Sequence, residues 1–341
     1  MSDFLLADGF GNLSDGNHLA GTQREILGEK WTGWTGTFVV EDIGDGRKWL
    51  KVGSAANLML SSSIASVAAL SVCFRVYPTS RAETTICGFY DSANVLGYLK
   101  MNTNGQLEYV RGVDAFDGTV VATSSVLPVD VETHVEIAIT FHDSTGAVEI
   151  FLNGLSNVAV TNQDTIRYGT ECDIISWMAG VPYFNWPTGW KLTDCVVHVA
   201  ASPIGDVGVY YVEPDADGAD GDFTPSAGDN FECVDDIGPD EDTTYNESDG
   251  TAGHRDSVGT AGVTGMTVLS VGVLVRARKT DTGTATLLLG AIHGASEDQS
   301  AAKGLAEGYL TLVEFFDDCP SGGAWDETKV AAASLSYEVG A

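Results

Sequence analysis

Residues His134 to Gly154, HVEIAITFHDSTGAVEIFLNG, alternate apolar and polar positions on both sides of a short polar turn. Val135, Ile137, Ile139 and Phe141 fall on one face, with Glu136, Ala138 and Thr140 on the other. After Asp143-Ser144-Thr145-Gly146 the pattern resumes with Val148, Ile150 and Leu152. Successive strand side chains point to opposite faces, so this spacing predicts an antiparallel hairpin with one face buried. The run closes on Asn153-Gly154, a pair suited to the positive φ of a tight turn.

The same signal recurs along the chain. Leu70, Val72, Phe74 and Val76 alternate within residues 69–77, and 101–105 (MNTNG) predicts a hairpin leading into Leu107 and Tyr109. Residues 172–177 and 192–200 supply further strands, about a dozen in all, at the turn spacing of an antiparallel sandwich. Forty glycines against nine prolines fit many tight turns better than long helices. From Glu213 the composition shifts to EPDADGADGDFTPSAGD, with almost nothing to bury, so 213–228 is expected to be a linker. Beyond it, Val271, Val273, Val275 and Ala277 mark the inner face of a strand. Residues 284–292, 309–316 and 332–339 add more. The expected fold is all-β: a larger sandwich over 1–212, then a smaller one over 229–341.

The formal charge is −31, from 48 acidic and 17 basic residues. That field repels phosphate backbones and anionic headgroups, which excludes nucleic acid and membrane surfaces as partners. No apolar stretch is long enough to span a bilayer as a helix, so no membrane insertion is expected. The six cysteines (73, 87, 172, 195, 233 and 319) show no CxxC spacing and read as buried thiols. Met1 to Gly9 lacks the basic and long apolar regions of a signal peptide, so synthesis in a cytoplasm without a cleaved address is expected.

Two resemblances add to this reading. ALSVCFRVYP, GYLKMNTNGQLEYV, THVEIAITFHDSTGAVEIFLNG and LTDCVVHVA together resemble the concanavalin A-like lectin/laminin-G jelly-roll family over roughly residues 1–212. Glu132-Thr133 stands where that family often has Trp. The second half resembles the C-terminal region of tailed-bacteriophage virion structural proteins. It does so through SPIGDVGVYYVEPDADGADGDFTPSAGDN, VDDIGPDEDTTY, VLVRARKTDTGTATLLL and FFDDCPSGGAW, with Cys319-Pro320 in place of the usual Asp-Pro. The resemblance implies a non-enzymatic protein displayed on the virion surface as a fibre, appendage or decorating subunit. It also implies contacts with other virion proteins, a homo-oligomer, and a role in adhesion to host surface glycans, in particle assembly, or in both. Capsid decoration without sugar binding, and a glycan hydrolase on a jelly-roll scaffold, are the alternatives.

Candidate chemistry is sparse. A jelly-roll glycosidase needs two carboxylates converging on a cleft. Glu132 and Glu136 are four apart and read as an exposed sheet face. The histidines at 18, 134, 142, 198, 254 and 293 are scattered and read as surface or turn residues. Asp215, Asp217, Asp220 and Asp222 offer hard oxygens at Ca²⁺-like spacing. The twelfth position of such a loop is Ser226, so a solvated linker is favoured and no cofactor is expected. The acidic cluster 235–242 reads the same way. Trp177, Tyr183, Trp186 and Trp190, with Phe184, crowd one loop-like segment, either to plug the sandwich end or to stack on sugars.

Overall fold

The structure, a computed structural model, describes residues 3–10, 16–19, 31–35, 37–43, 47–52, 59–92, 94–112, 118–177, 187–236 and 240–341. The first unit opens with β1 (Phe4–Asp8), β2 (Gly16–Leu19), β3 (Trp31–Thr35), β4 (Thr37–Asp42), β5 (Lys48–Val52) and β6 (Met59–Val67). It continues with β7 (Ala69–Tyr77), β8 (Thr84–Asp91), β9 (Asn94–Met101), β10 (Gln106–Arg111) and β11 (Thr119–Val126). It ends with β12 (Thr133–Thr140), β13 (Gly146–Leu152), β14 (Leu155–Gln163), β15 (Cys172–Trp177) and β16 (Lys191–Val199).

These strands form two antiparallel sheets that face each other. One runs β14-β13-β12-β7-β16-β5-β4-β2, with β1 also on β16; the other runs β11-β10-β9-β8-β15-β6-β3. The period-two pattern sets the register. Ile137 lies opposite both Val72 and Ile150, and Ile139 opposite Leu70 and Val148. All of these side chains are buried in one core with Phe89, Leu99, Leu107 and Tyr109 from the facing sheet. Each such burial is worth about 1.5–3 kcal/mol. The hairpin continues into β14 through Asn153 (φ 49°) and Gly154 (φ 75°), the left-handed pair that a two-residue turn requires. At Gly97 a Cβ would stand 2.5 Å from the Tyr109 hydroxyl, so only glycine lets that ring cross the sheet.

The second unit contains β17 (Pro214–Gly221), β18 (Thr224–Pro225), β19 (Asn246–Glu247), β20 (Arg255–Thr260), β21 (Val271–Ala277) and β22 (Thr286–His293). β23 (Ser296–Gln299), β24 (Lys303–Gly304), β25 (Leu310–Phe316), α1 (Glu327–Ala331) and β26 (Ala333–Val339) complete it. Its main sheet runs β17-β20-β26-β22-β23, with β24 on β22, and β21 pairs with β25. Val273, Leu287, Leu289, Leu312, Phe316, Trp325 and Tyr337 form its own core. The FFDDCPSGGAW phrase is a tight turn: the Trp325 indole N–H donates to the Phe316 carbonyl at 2.8 Å, and Asp326 caps α1. All six cysteines are free and buried, as their spacing predicts.

Three sequence expectations are corrected. The segment 213–228 is not a linker: residues 214–221 form β17, hydrogen-bonded to β20. A ladder needs backbone groups rather than apolar side chains, and Gly218 lets Ser257 approach to within 2.2 Å of where a Cβ would stand. The passage between the two cores lies earlier, just after Val199. There the chain crosses the outer face of the first sheet as an irregular strap.

The strap explains the second correction. Glu136 is fully buried rather than exposed, because residues 202–210 cover it. Its carboxylate accepts the Ile204 and Gly205 N–H groups at 2.7 and 3.1 Å. Burial pushes its pKa up, against those hydrogen bonds. Beside it, Asp194 is also fully buried and pairs with Arg47 and Arg75, both at 2.9 Å. It also accepts the Val209 N–H at 3.0 Å. Arg75 reaches on to Asp206 of the strap at 2.6 Å and to Glu132 at 3.0 Å. The Arg47 guanidinium stacks on Tyr210 at 5.2 Å. The units also touch through Asp317, which accepts the Asp3 N–H at 2.5 Å.

His134, expected at a surface or turn, is instead buried under the strap, where its Nε2 accepts the Val207 N–H at 3.4 Å. Burial lowers its pKa from 6.5 to about 4; Arg75 lowers it further and Asp206 opposes. A depressed histidine contributes stability above its unfolded pKa and loses it as pH falls through the folded value. Glu136 and Asp194, raised by burial, have the opposite sign: their contribution is present at low pH and lost as pH rises. Denaturant unfolding of the wild type and His134→Gln at neutral pH and near pH 4.5 separates these effects. The variant is expected to lose roughly 2–3 kcal/mol less on acidification. Equal losses in the two proteins would remove His134 from the acid response.

Candidate functional site

At one end of the first sandwich three segments meet around an open groove of about 600 Å³. They are Ala68 between β6 and β7, Phe141–Asp143 after β12, and residues 164–171 between β14 and β15, with Arg111 at the end of β10. Thr165, buried, ties two of them together. Its N–H donates to the His142 carbonyl at 2.9 Å, and its Oγ1 donates to Thr140 O at 2.8 Å. Gly146 allows this, since a Cβ there would stand 2.3 Å from Thr165 Oγ1. Farther along, the Arg167 N–H donates to Leu96 O at 3.1 Å and the Thr170 N–H to Asp91 Oδ2 at 3.1 Å. The loop is thus pinned to the sheet by its main chain and by Thr165, and Arg167, Tyr168, Thr170 and Glu171 face outward.

Those side chains make a polar groove with one aromatic platform. Tyr168 is 48 % exposed, and the Arg167 guanidinium lies over its ring at 5.2 Å. Arg111 forms an ion pair with Asp164. The Ser144 and Thr145 N–H groups both donate to His142 Nδ1 at 3.1 Å, which assigns the ring proton to Nε2. The nearby Asp143 carboxylate is held by Ser144 Oγ at 2.9 Å. An exposed ring backed by a cation, flanked by guanidinium, carboxylate and hydroxyl groups, matches the apolar face and hydroxyl rim of a saccharide.

The sequence-derived aromatic candidates fare differently. Trp177 and Trp190 are fully buried and belong to the core. Trp177 packs edge-on against Phe74 at 5.9 Å and donates its indole N–H to Ser62 Oγ at 3.3 Å. Neither ring has a face left for a ligand, which corrects the sugar-stacking reading of these two. Tyr183 and Trp186 lie outside the described residues, as does Phe184. Reasoning from aromatic density missed Tyr168; its available signal was Arg-Tyr-Gly at 167–169, between two strands.

The four aspartates at Ca²⁺-like spacing do not converge in the structure. Asp217 accepts the Phe231 N–H at 2.8 Å, Asp220 pairs with Arg255 at 2.9 Å, and Asp222 accepts the Arg255 N–H at 3.1 Å. Asp215 is exposed on β17. A strand spreads these carboxylates over two faces and separate partners. Among the described residues no group of three His, Cys, Asp or Glu side chains is placed to hold a metal. In the second acidic cluster Asp242 pairs with Arg278 at 2.6 Å, and Glu241 with Arg276. Both guanidinium groups lie over the Tyr309 ring, at 5.2 and 4.9 Å.

No family model matches the chain, and no curated protein does. Among solved structures it is similar to the alginate lyase Aly36B, with 13 % identity and a TM-score of 0.43 over 60 % of this chain and 98 % of that one. It is similar to domain 4 of AbnA, an extracellular GH43 arabinanase from Geobacillus stearothermophilus in complex with arabinotriose. There the identity is 19 % and the TM-score 0.36, over 48 % of this chain and 76 % of that one. The endo-β-1,4-glucuronan lyase of the fungus Trichoderma reesei matches at 13 % identity and a TM-score of 0.38, over 57 % of this chain and 98 % of that one. The chain is an all-β protein of sandwich, jelly-roll type.

Because Asp217, Asp220 and Asp222 already have partners, the melting temperature is expected to be the same in millimolar Ca²⁺ and in excess chelator. A rise with Ca²⁺ that Asp217→Asn and Asp220→Asn abolish would restore the metal site.

Proposed function

We propose that this chain is a non-enzymatic structural protein of a virion whose first sandwich adheres to host surface glycans through the 164–171 groove. The observation that carries the glycan part is the exposed Tyr168 ring backed by Arg167 in a polar cleft. The virion part is supported by the ordered phrases from SPIGDVGVYY to FFDDCPSGGAW. In this reading the rigid sandwich presents its end loops outward, and the second unit joins it to neighbouring particle proteins.

The mechanism is stacking plus hydrogen bonding. Tyr168 covers the apolar face of a sugar ring, and Arg167, Thr170 and Glu171 meet its hydroxyls. Each contact is weak, so useful adhesion comes from several copies acting together. Glycan-array binding with titration of the best ligand tests this. Tyr168→Ala is expected to weaken binding about tenfold, the worth of one aromatic contact. Tyr245→Ala, exposed in the second unit, is expected to leave it unchanged. Release of new reducing ends would favour the hydrolase alternative. Tight binding to particles with no glycan bound would favour the decoration alternative.

A further inference from the structure

The groove beside Tyr168 carries charges of two kinds, cancelled and uncancelled. Its lining holds two guanidinium groups, Arg111 and Arg167, and three carboxylates, Asp143, Asp164 and Glu171. Arg111 and Asp164 cancel each other as an ion pair. Arg167 lies over the Tyr168 ring. His142 turns its Nδ1 to the Ser144 and Thr145 N–H groups of its own turn.

Glu171 and Asp143 are each oriented by a hydroxyl. Ser66 Oγ on β6 donates to Glu171 Oε2 at 2.7 Å, and Ser144 Oγ donates to Asp143 Oδ1 at 2.9 Å. Among the described residues neither carboxylate pairs with a lysine or an arginine; Asp143 has the His142 ring beside it, at 3.1 Å. Two more carboxylates of this kind hold the loop and its neighbour. Asp91 Oδ2 accepts the Thr170 N–H at 3.1 Å, and Asp173 accepts the Ser92 N–H at 2.6 Å and the Ser92 hydroxyl at 3.1 Å. Main-chain N–H and side-chain O–H donors fill a carboxylate's lone pairs and add no positive charge. The exposed ring of Tyr168 is therefore flanked by negative charge, with Arg167 as the one groove guanidinium that no described carboxylate pairs.

We propose that the groove takes an amino sugar, a hexosamine whose free ammonium group meets Glu171 while its ring lies on Tyr168, and that it rejects uronate and sialate sugars. This selectivity rests on the glycan reading of the groove. Glu171 stands three residues beyond Tyr168 on the same loop, and Asp143 adds its charge from the β12–β13 turn. An ammonium group brings three charge-assisted donors to acceptors that are already oriented. A ligand carboxylate meets the reverse balance, one guanidinium against several like charges. Acetylating the sugar nitrogen removes the charge and keeps the ring, so N-acetylated sugars fall between. Glu171 is exposed, so its contribution is that of a surface ion pair, about fivefold in affinity at most.

Titration of the full chain with three oligosaccharides of equal length tests this, at about pH 6, above the usual carboxylate range. The probes are oligomers of glucosamine, of N-acetylglucosamine and of galacturonate. They are expected to bind in that order, with about fivefold between the first two and a gap that closes in about 0.5 M salt. Glu171→Gln keeps an acceptor for Ser66 and removes the charge, and is expected to erase most of the gap. Asp215→Asn removes the same charge from an exposed position in the second unit. It is expected to leave the gap intact, which separates the groove from attraction to the acidic chain as a whole. An equal or reversed order overturns the proposal. So does a gap that survives Glu171→Gln, or one that Asp215→Asn closes as far. Galacturonate binding that Tyr168→Ala abolishes overturns the selectivity and keeps the glycan reading. Failure of all three probes to bind also overturns the selectivity, and a glycan array without any ligand removes the glycan reading with it.

Discussion

The buried carboxylate of Asp194 organises everything around it. An ionised group out of water is costly unless its lone pairs are filled, and here two guanidinium groups and a main-chain N–H fill them. Asp194 has a φ of 53° and sits where the β16–β7 register shifts between Thr193 and Val196. The bulge breaks strand alternation at that point and re-aims the side chain. One irregularity in one strand therefore gathers β5 through its preceding Arg47, β7 through Arg75, and the strap through Val209. The gain is a single permitted path for the chain as it leaves the first core.

The central hairpin, the 101–105 turn and the strands over 69–77 and 172–177 were legible in the sequence because their signal is local. Period two, a glycine at a left-handed position and a β-branched run are each contained within a few residues. Glu136 was not legible for the opposite reason. Its position on the outward face of β12 was correctly read, but what covers that face comes from residues 204 and 205, far along the chain. His134 was misplaced by the same mechanism. Segment 214–221 failed differently, since composition reports side chains whereas an edge ladder is built from backbone.

The site was the least legible feature. Trp177 and Trp190 look the same in a sequence whether they plug a core or display a ring. Trp177 lies in a strand between two others and Trp190 directly precedes one, and both fill the interior. Tyr168 lies in a loop whose backbone is already committed to Leu96 and Asp91, and so its ring stands outside. The acidity of the chain also has local structure. Many of its few arginines are spent on carboxylates that would otherwise face each other, at Asp194, Asp220 with Glu297, and Glu241 with Asp242.

Joining segments between folded units are ordinarily where proteases cut, because a cleavable stretch must leave the surface and enter an active site in extended form. The strap has no regular secondary structure, yet its main-chain N–H groups at 204, 205, 207 and 209 are all bonded to buried side chains. Peeling it away strands Asp194, Glu136 and His134 in a half-opened interior. Its opening free energy is thus tied to the first sandwich as a whole, and nicking of this junction follows global rather than local opening.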